Sequence, residues 1–142
     1  MFTVDASVYV SAMNSGEAAS QQSYAFLEKL HAGRHAIYSP TLLLVEVAAA
    51  ISRALGDAQQ AIDLTQSIRD LPGHVWIVLD AGFAEASLRL AANSRLRGAD
   101  AIYAAVAMRH KAALVTRDRQ QIKRLRPFLT VMVPEEAIEL LV

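Results

Sequence analysis

One carboxylate lies in the middle of a long apolar stretch. Residues 39–51, "SPTLLLVEVAAAI", contain a single acid, Glu46, and its neighbours three and four residues away are leucines and alanines. An unpaired carboxylate in apolar surroundings takes up a proton or pulls its segment toward water. The sequence therefore predicts either that Glu46 faces solvent on an otherwise buried helix, or that it has a positively charged partner.

Three further acids stand where strands end or helices begin. Asp5 closes the apolar run "FTVD", Asp118 follows "ALVTR", and Asp100 precedes the uncharged run "AIYAAVAM". Each could by itself be a helix cap or a turn residue, which are common roles of aspartate. Taken one at a time, these residues indicate no chemistry.

Considered together, the four acids point to a metal site. If Asp5, Glu46, Asp100 and Asp118 converge, their charges repel, and some would stay protonated unless a cation lay between them. A ligand set made only of oxygens suits a hard divalent ion such as Mg²⁺ or Mn²⁺. We therefore expect a magnesium or manganese ion to be the partner of Glu46.

The elements that must position these acids alternate between strand and helix. The strand candidates are continuous apolar runs, which is typical of a parallel sheet covered by helices on both faces. The sequence predicts an α/β fold, a three-layer αβα sandwich around a mostly parallel sheet of about five strands. The expected strands cover residues 2–6, 35–39, 74–79, 112–116 and 130–133, with Pro40 in the first turn of the helix around Glu46. In such sheets, active sites form at the carboxyl ends of the strands.

Length and composition predict one globular domain over residues 1–142. Apolar residues make up 54% of the chain and charged residues 20%, which excludes a disordered chain. The absence of cysteine excludes a disulfide scaffold and fits a reducing compartment. The N-terminal stretch lacks a signal-peptide pattern, and no apolar run approaches the roughly 20 residues that span a bilayer. We expect a cytoplasmic protein with no membrane partner.

The net charge is zero, but the basic residues are concentrated in one part of the chain. Between Arg95 and Arg126 there are nine basic residues and only two acids. A local positive field attracts phosphates even on a neutral protein. The alternative interpretation, that these residues cover ordinary solvated helix faces, is equally compatible with the pattern.

Four stretches, in this order, make the chain resemble the PIN-domain nucleases, and most closely the VapC-like toxins of toxin–antitoxin pairs. They are "TVDASVYV", "YSPTLLLVEVAAAISR", "RGADAIYAAVAMRH" and "ALVTRDRQ". The resemblance implies that the four acids bind the metal and act in catalysis, and that the Thr116 hydroxyl supports the site, with Ser7 hydrogen-bonding nearby. Many relatives carry a further acid and an aromatic residue soon after the last motif, whereas this chain has Arg119, Gln120, Gln121 and Ile122. A fifth ligand and a second metal ion are therefore not implied.

The resemblance also implies an activity and partners. It implies a Mg²⁺- or Mn²⁺-dependent endoribonuclease with an RNA substrate, a cognate antitoxin and a homodimeric state. The basic residues nearest the acids are the expected RNA contacts: Arg95, Arg97, Arg117 and Arg119.

Two alternatives stay open at this point. The first is a PIN domain without catalysis that serves as an RNA-binding or scaffolding unit. The second is a phosphoacceptor receiver domain, which has a similar size and fold class. The receiver hypothesis requires two adjacent acids after the first strand and a lysine after the fifth, and the chain has neither; it also leaves Glu46 unexplained.

Overall fold

Five parallel strands form the centre of the protein, which a computed structural model describes over residues 1–141. The strand order is β3-β2-β1-β4-β5, and all four neighbouring pairs are parallel. The strands are β1 (Phe2–Val4), β2 (Ile37–Pro40), β3 (His74–Ile77), β4 (Ala113–Val115) and β5 (Val131–Met132). The predicted α/β fold with a five-stranded parallel sheet is confirmed.

Helices connect the strands. They are α1 (Ala6–Met13), α2 (Ala18–Ala32), α3 (Leu42–Leu55), α4 (Ala58–Arg69), α5 (Ala81–Ser94), α6 (Gly98–Arg109), α7 (Arg119–Leu125) and α8 (Pro134–Ala137), the last continuing into a 3₁₀ turn at Ile138–Leu140. Asp57 and Asp80 cap α4 and α5 by accepting main-chain hydrogen bonds from Gln60 and Phe83. These caps satisfy N–H groups that have no partner within the helix.

One local prediction differs from the structure. Pro40 is the last residue of β2 rather than part of the first turn of α3, because it pairs in register with Ile77 of β3 and the next N–H, that of Thr41, donates to the Ile77 carbonyl. Helix α8 ends at Ala137, where it tightens into the 3₁₀ turn.

The connections place helices on both faces of the sheet. The chain moves from β1 to β2 to β3 through α1–α4, and then crosses back over β1 to reach β4 through α5 and α6. Because parallel crossovers are right-handed, this reversal of direction puts α5 and α6 on the opposite face from α1–α4. The reversal lies between β1 and β4, which makes their carboxyl ends the switch point where such folds bind ligands.

Helix α6 is the best buried helix of the core. Its residues 103–107, "YAAVA", are all buried, and the helix packs against β1, β2 and β4. Small alanine side chains let the helix approach the sheet closely, and this position fixes Asp100 in its first turn over the ends of β1 and β4. No helix among residues 1–141 is both long and apolar enough to cross a membrane.

Candidate metal centre

Asp5 lies at the switch point and is tied to β4. Its main-chain N–H donates to the Val115 carbonyl at 2.9 Å, which extends the pairing of β1 and β4 by one step. Its Oδ2 accepts hydrogen bonds from the Ser7 N–H at 3.1 Å and the Thr116 hydroxyl at 3.3 Å. The residue is 7% exposed, so burial raises the pKa of Asp5 despite these bonds.

Two hydroxyls join the loop after β1 to the loop after β4. The Oγ of Ser7 lies 3.4 Å from Oγ1 of Thr116, and it accepts a hydrogen bond from the Arg117 N–H at 3.0 Å. Thr116 Oγ1 in turn accepts from the Asp118 N–H at 3.1 Å. Hydrogen bonds of Ser7 and Thr116 therefore link the Asp5 carboxylate to the main chain of residues 117 and 118.

Asp118 is the N-cap of α7 rather than a free turn residue. Its Oδ1 accepts hydrogen bonds from the main-chain N–H groups of Gln120 at 2.8 Å and Gln121 at 3.2 Å. Helix α7 therefore begins directly after Asp118, at Arg119. The cap orients the Asp118 carboxylate at the carboxyl end of β4, beside Asp5.

Glu46 is neither exposed nor paired. It lies in the second turn of α3 and is partly buried, and its Oε1 is fully buried without a hydrogen-bond partner among residues 1–141. Burial raises the pKa of Glu46, and the charges of Asp5 and Asp100 raise it further. The Tyr103 hydroxyl lies close enough to lower this pKa, although it makes no hydrogen bond of standard geometry. Glu46 therefore faces the other acids, with one carboxylate oxygen unsatisfied.

Asp100 completes the set from the opposite face of the sheet. Burial raises the pKa of Asp100, and the charges of Asp5 and Asp118 add to the effect. Arg97 and the side chain of Gln121 act in the opposite direction. Carboxylates from four separate segments thus share one electrostatic environment at the ends of β1 and β4.

The chemistry of this cluster fits a hard divalent cation. All its donors are oxygens, Glu46 Oε1 lacks a hydrogen bond of standard geometry, and burial together with neighbouring acids disfavours ionisation of Asp5, Glu46 and Asp100. No three His, Cys, Asp or Glu side chains within the described chain, residues 1–141, form a group already closed enough to hold a metal ion. The acids lie near one another but are too far apart to coordinate one ion as they stand. A bound cation would supply the positive charge that the site lacks.

The basic residues divide into two kinds. Arg95, Arg97 and Arg119 are exposed, and Arg97 lies close enough to Asp100 to lower its pKa. The guanidinium of Arg117 is instead held inside the protein by the Glu135 carboxylate, the Ser23 hydroxyl and the Ala19 carbonyl. The donors of Arg117 are thus engaged by intramolecular partners, which disfavours an RNA contact, and the RNA contact of Arg117 stays a prediction.

Two polar residues at the site were not anticipated from the sequence. The Tyr103 hydroxyl and the Gln121 carboxamide are buried beside Glu46 and Asp100 respectively, without hydrogen bonds of standard geometry. Tyr103 follows Asp100 by three residues on α6, and Gln121 follows Asp118 by three residues on α7. This spacing places each on the same helix face as an acid and is the signal that could have found them.

Two apolar clefts lie away from the acids. One, of about 930 Å³, is lined by α5 and α6 residues such as Phe83, Leu90 and Met108. The other, of about 410 Å³, lies among α1, α2 and α4 near Tyr9 and Leu27. Neither contains any of the four carboxylates, so the candidate chemistry is separate from both.

Comparison with known proteins agrees with this geometry. The family model of the PIN domain matches residues 2–126, which include all four acids. No curated protein matches the chain.

Solved structures share the fold at low sequence identity. VapC20 of Mycobacterium tuberculosis, described as a sarcin–ricin loop-cleaving toxin, superposes with a TM-score of 0.71 at 17% identity, covering 87% of this chain and 94% of that one. VapBC2 of Rickettsia felis bound to promoter DNA gives 0.65 at 20% identity, covering 93% and 97%. A toxin–antitoxin complex from Klebsiella pneumoniae gives 0.64 at 20% identity, covering 94% and 98%.

Proposed function

Because the chain belongs to the PIN-domain family, we propose that it is a Mg²⁺- or Mn²⁺-dependent endoribonuclease and the toxin of a toxin–antitoxin pair. One observation carries the proposal. Carboxylates from four segments lie near one another at the switch point of the sheet, and the Oε1 atom of Glu46 is buried there without a hydrogen bond of standard geometry. A purely structural role leaves this cost unexplained. The receiver-domain alternative is excluded by the family match.

Each residue of the site has a proposed role. Asp5, Glu46 and Asp100 would hold the cation, and Asp118 would act directly or through a water molecule. A bound divalent cation supplies charge neutralisation at the phosphate and activation of a water for in-line attack. Thr116 and Ser7 keep Asp5 oriented through the hydrogen bonds described above.

The exposed arginines would provide the substrate contacts. Arg95, Arg97 and Arg119 are exposed, Arg97 lies beside Asp100 and Arg119 follows Asp118 in sequence, and all three have charge complementary to a phosphodiester backbone. Their position allows RNA to be drawn past the carboxylates, which by themselves repel it.

Partners are proposed from the relatives. Two of the similar structures are toxin–antitoxin complexes, and a third toxin is described as cleaving the sarcin–ricin loop. These likenesses support an RNA substrate and a cognate antitoxin for this chain. A homodimer and a cytoplasmic location remain predictions that the sequence made, and light scattering of the purified chain would test the first of them.

The direct test is cleavage of a structured RNA by the purified chain. Wild type should cut in Mg²⁺ or Mn²⁺ and stop in EDTA, while Asp100→Asn and Glu46→Gln should each lose at least about a hundredfold in rate. Asp57→Asn is the control, because Asp57 is an exposed acid that caps α4, away from the site. Expression of the wild type should arrest growth, and expression of Asp100→Asn should not.

The same cleavage assay distinguishes the nuclease from a PIN domain without catalysis. Cleavage at the wild-type rate by Asp100→Asn would reject the assigned role of the acids. Salt-sensitive RNA binding without metal-dependent cleavage would instead indicate an RNA-binding PIN domain that has lost its chemistry.

A further inference from the structure

Gln121 is buried with its polar group unsatisfied. The residue is 1% exposed, and neither Oε1 nor Nε2 has a hydrogen-bond partner among residues 1–141. It lies in the first turn of α7, where the neighbouring glutamine, Gln120, is exposed.

This arrangement is unfavourable for folding alone. A buried amide without a hydrogen bond destabilises the folded state, whereas leucine or methionine would fill a similar volume without that penalty. Buried unsatisfied groups in native proteins concentrate at sites where a ligand or a reaction uses them. The position therefore calls for a ligand-dependent role.

Gln121 connects two of the four acids. Its main-chain N–H donates to Asp118 Oδ1 at 3.2 Å, and its carboxamide lies beside the carboxylate of Asp100. Asp118 belongs to the cap of α7 and Asp100 to the first turn of α6. The side chain thus lies at the junction of the two helices that carry these acids.

We propose that Gln121 is a positioning residue for divalent-cation binding: its Nε2 amide donates to the Asp100 carboxylate and holds that carboxylate in its ligand orientation. The inference rests on the proposed metal-dependent function. A hydrogen bond from an amide to a carboxylate ligand is charge-assisted and restrains the orientation of the carboxylate more firmly than a neutral pair would. Bound magnesium usually keeps several of its waters, and these offer donors for Oε1.

The consequence concerns metal affinity. Partners that orient a metal-ligating carboxylate typically contribute 10- to 100-fold in affinity. Loss of the carboxamide should therefore weaken cation binding without weakening the fold, since the amide contributes no hydrogen bond in the metal-free protein.

The test compares Gln121→Leu and Gln121→Met with Gln120→Leu. All three changes remove a carboxamide from α7, and the replaced residues both donate a main-chain N–H to Asp118 Oδ1, but only Gln121 is buried. Mn²⁺ affinity of the full chain is measured by calorimetry, and metal-free stability by thermal unfolding in EDTA. We expect the Mn²⁺ dissociation constant to rise at least about tenfold in both Gln121 variants, with an unfolding temperature no lower than that of wild type and no change in Gln120→Leu.

The outcomes separate this inference from the proposed function. Unchanged Mn²⁺ affinity in a folded Gln121→Leu or Gln121→Met protein overturns the role of Gln121 while leaving the nuclease proposal intact. If Gln120→Leu weakens Mn²⁺ binding as much as the Gln121 variants do, the proposed role of Gln121 is overturned as well. Wild type that binds no Mn²⁺ rejects the metal-dependent function itself, and the present inference with it. Methionine keeps the unbranched length of glutamine, so it serves if leucine prevents folding.

Discussion

Arg117 donates two hydrogen bonds to the carboxylate of Glu135, at 2.6 and 2.8 Å. The guanidinium also donates to the Ser23 hydroxyl and the Ala19 carbonyl, both at 2.9 Å. These bonds fasten the loop after β4 to α2 and α8 at once. The loop carries two site residues, so the ion pair indirectly holds the acidic cluster in place.

Loss of the ion pair between Arg117 and Glu135 should lower the stability of the folded protein. Arg117 is 18% exposed and Glu135 33%, so Arg117→Ala leaves a partly buried carboxylate without its partner. We expect a loss of about 2–3 kcal/mol in the free energy of unfolding, measured by urea denaturation. Cleavage activity should fall mainly as the folded fraction falls.

A second ion pair of the same composition provides the control. Arg126 contacts Glu136 at 2.8 Å, but both side chains are about half exposed. Solvent weakens such pairs, so Arg126→Ala should cost about 1 kcal/mol or less. Equal losses in the two variants would contradict the anchoring role of Arg117.

The stability of the protein should fall on mild acidification because of His74. Its Nδ1 and the Ser39 hydroxyl are 2.8 Å apart, its Nε2 is buried without a partner, and its ring stacks on Trp76. Burial, reinforced by the neighbouring His31, lowers the pKa of His74 to about 4. Between that value and the ordinary pKa of 6.5 the unfolded chain binds a proton that the folded chain does not, so stability is lost as the pH falls through this window.

Urea denaturation at several pH values checks this prediction. His74→Phe keeps an aromatic ring for the stack and removes the titrating group, so its stability should vary less between pH 6.5 and 4 than that of wild type. Parallel curves for the two proteins would show that another group is responsible.

Metal-free protein should become more stable when an acid is removed. Burial and the charges of Asp5 and Asp118 raise the pKa of Asp100, so its ionised form is disfavoured in the folded state. That penalty is absent below the unfolded pKa of 3.8 and grows as the pH rises through the folded value. Asp100→Asn should therefore unfold at a higher temperature than wild type in EDTA at pH 8, and the difference should disappear near pH 3.

Addition of Mn²⁺ should reverse the order at pH 8. A cation that binds the native state raises the unfolding temperature of wild type, whereas the variant lacks one of its ligands. An Asp100→Asn protein that is less stable than wild type in EDTA would indicate that this carboxylate has a structural role instead.

The sequence was sufficient for the fold and for the candidate acids, for identifiable reasons. Apolar strands alternating with helices imply a parallel sheet, and a lone acid such as Glu46 in an apolar helix is conspicuous without any knowledge of its neighbours. The internal ion pair of Arg117 could not be predicted, because its partner Glu135 lies 18 residues away in another element. A basic residue next to Asp118 is equally compatible with an RNA contact and an internal ion pair until the packing is known.

Buried polar residues were the other failure of sequence reasoning. Glutamine at position 121 and tyrosine at 103 are unremarkable in a helix, since both residue types are common on partly exposed faces. Their burial follows from how α6 and α7 pack at the ends of β1 and β4. Only that packing turns an ordinary side chain into one whose polar atoms lack partners beside an acid.

The exposed arginines should govern RNA affinity through salt-dependent contacts. Arg95, Arg97 and Arg119 are exposed, while Arg89 is exposed on α5 and paired with Glu85 at 2.8 Å. For a single-stranded RNA, each lost phosphate contact should reduce the slope of log affinity against log salt concentration by about 0.7.

Binding is measured by fluorescence anisotropy at several salt concentrations, in the inactive Asp100→Asn background so that the RNA stays intact. The triple alanine variant of the three exposed arginines should lose affinity and about two units of slope, whereas Arg89→Ala should change neither. If the triple variant kept the full slope, RNA would have to approach the acids over another surface.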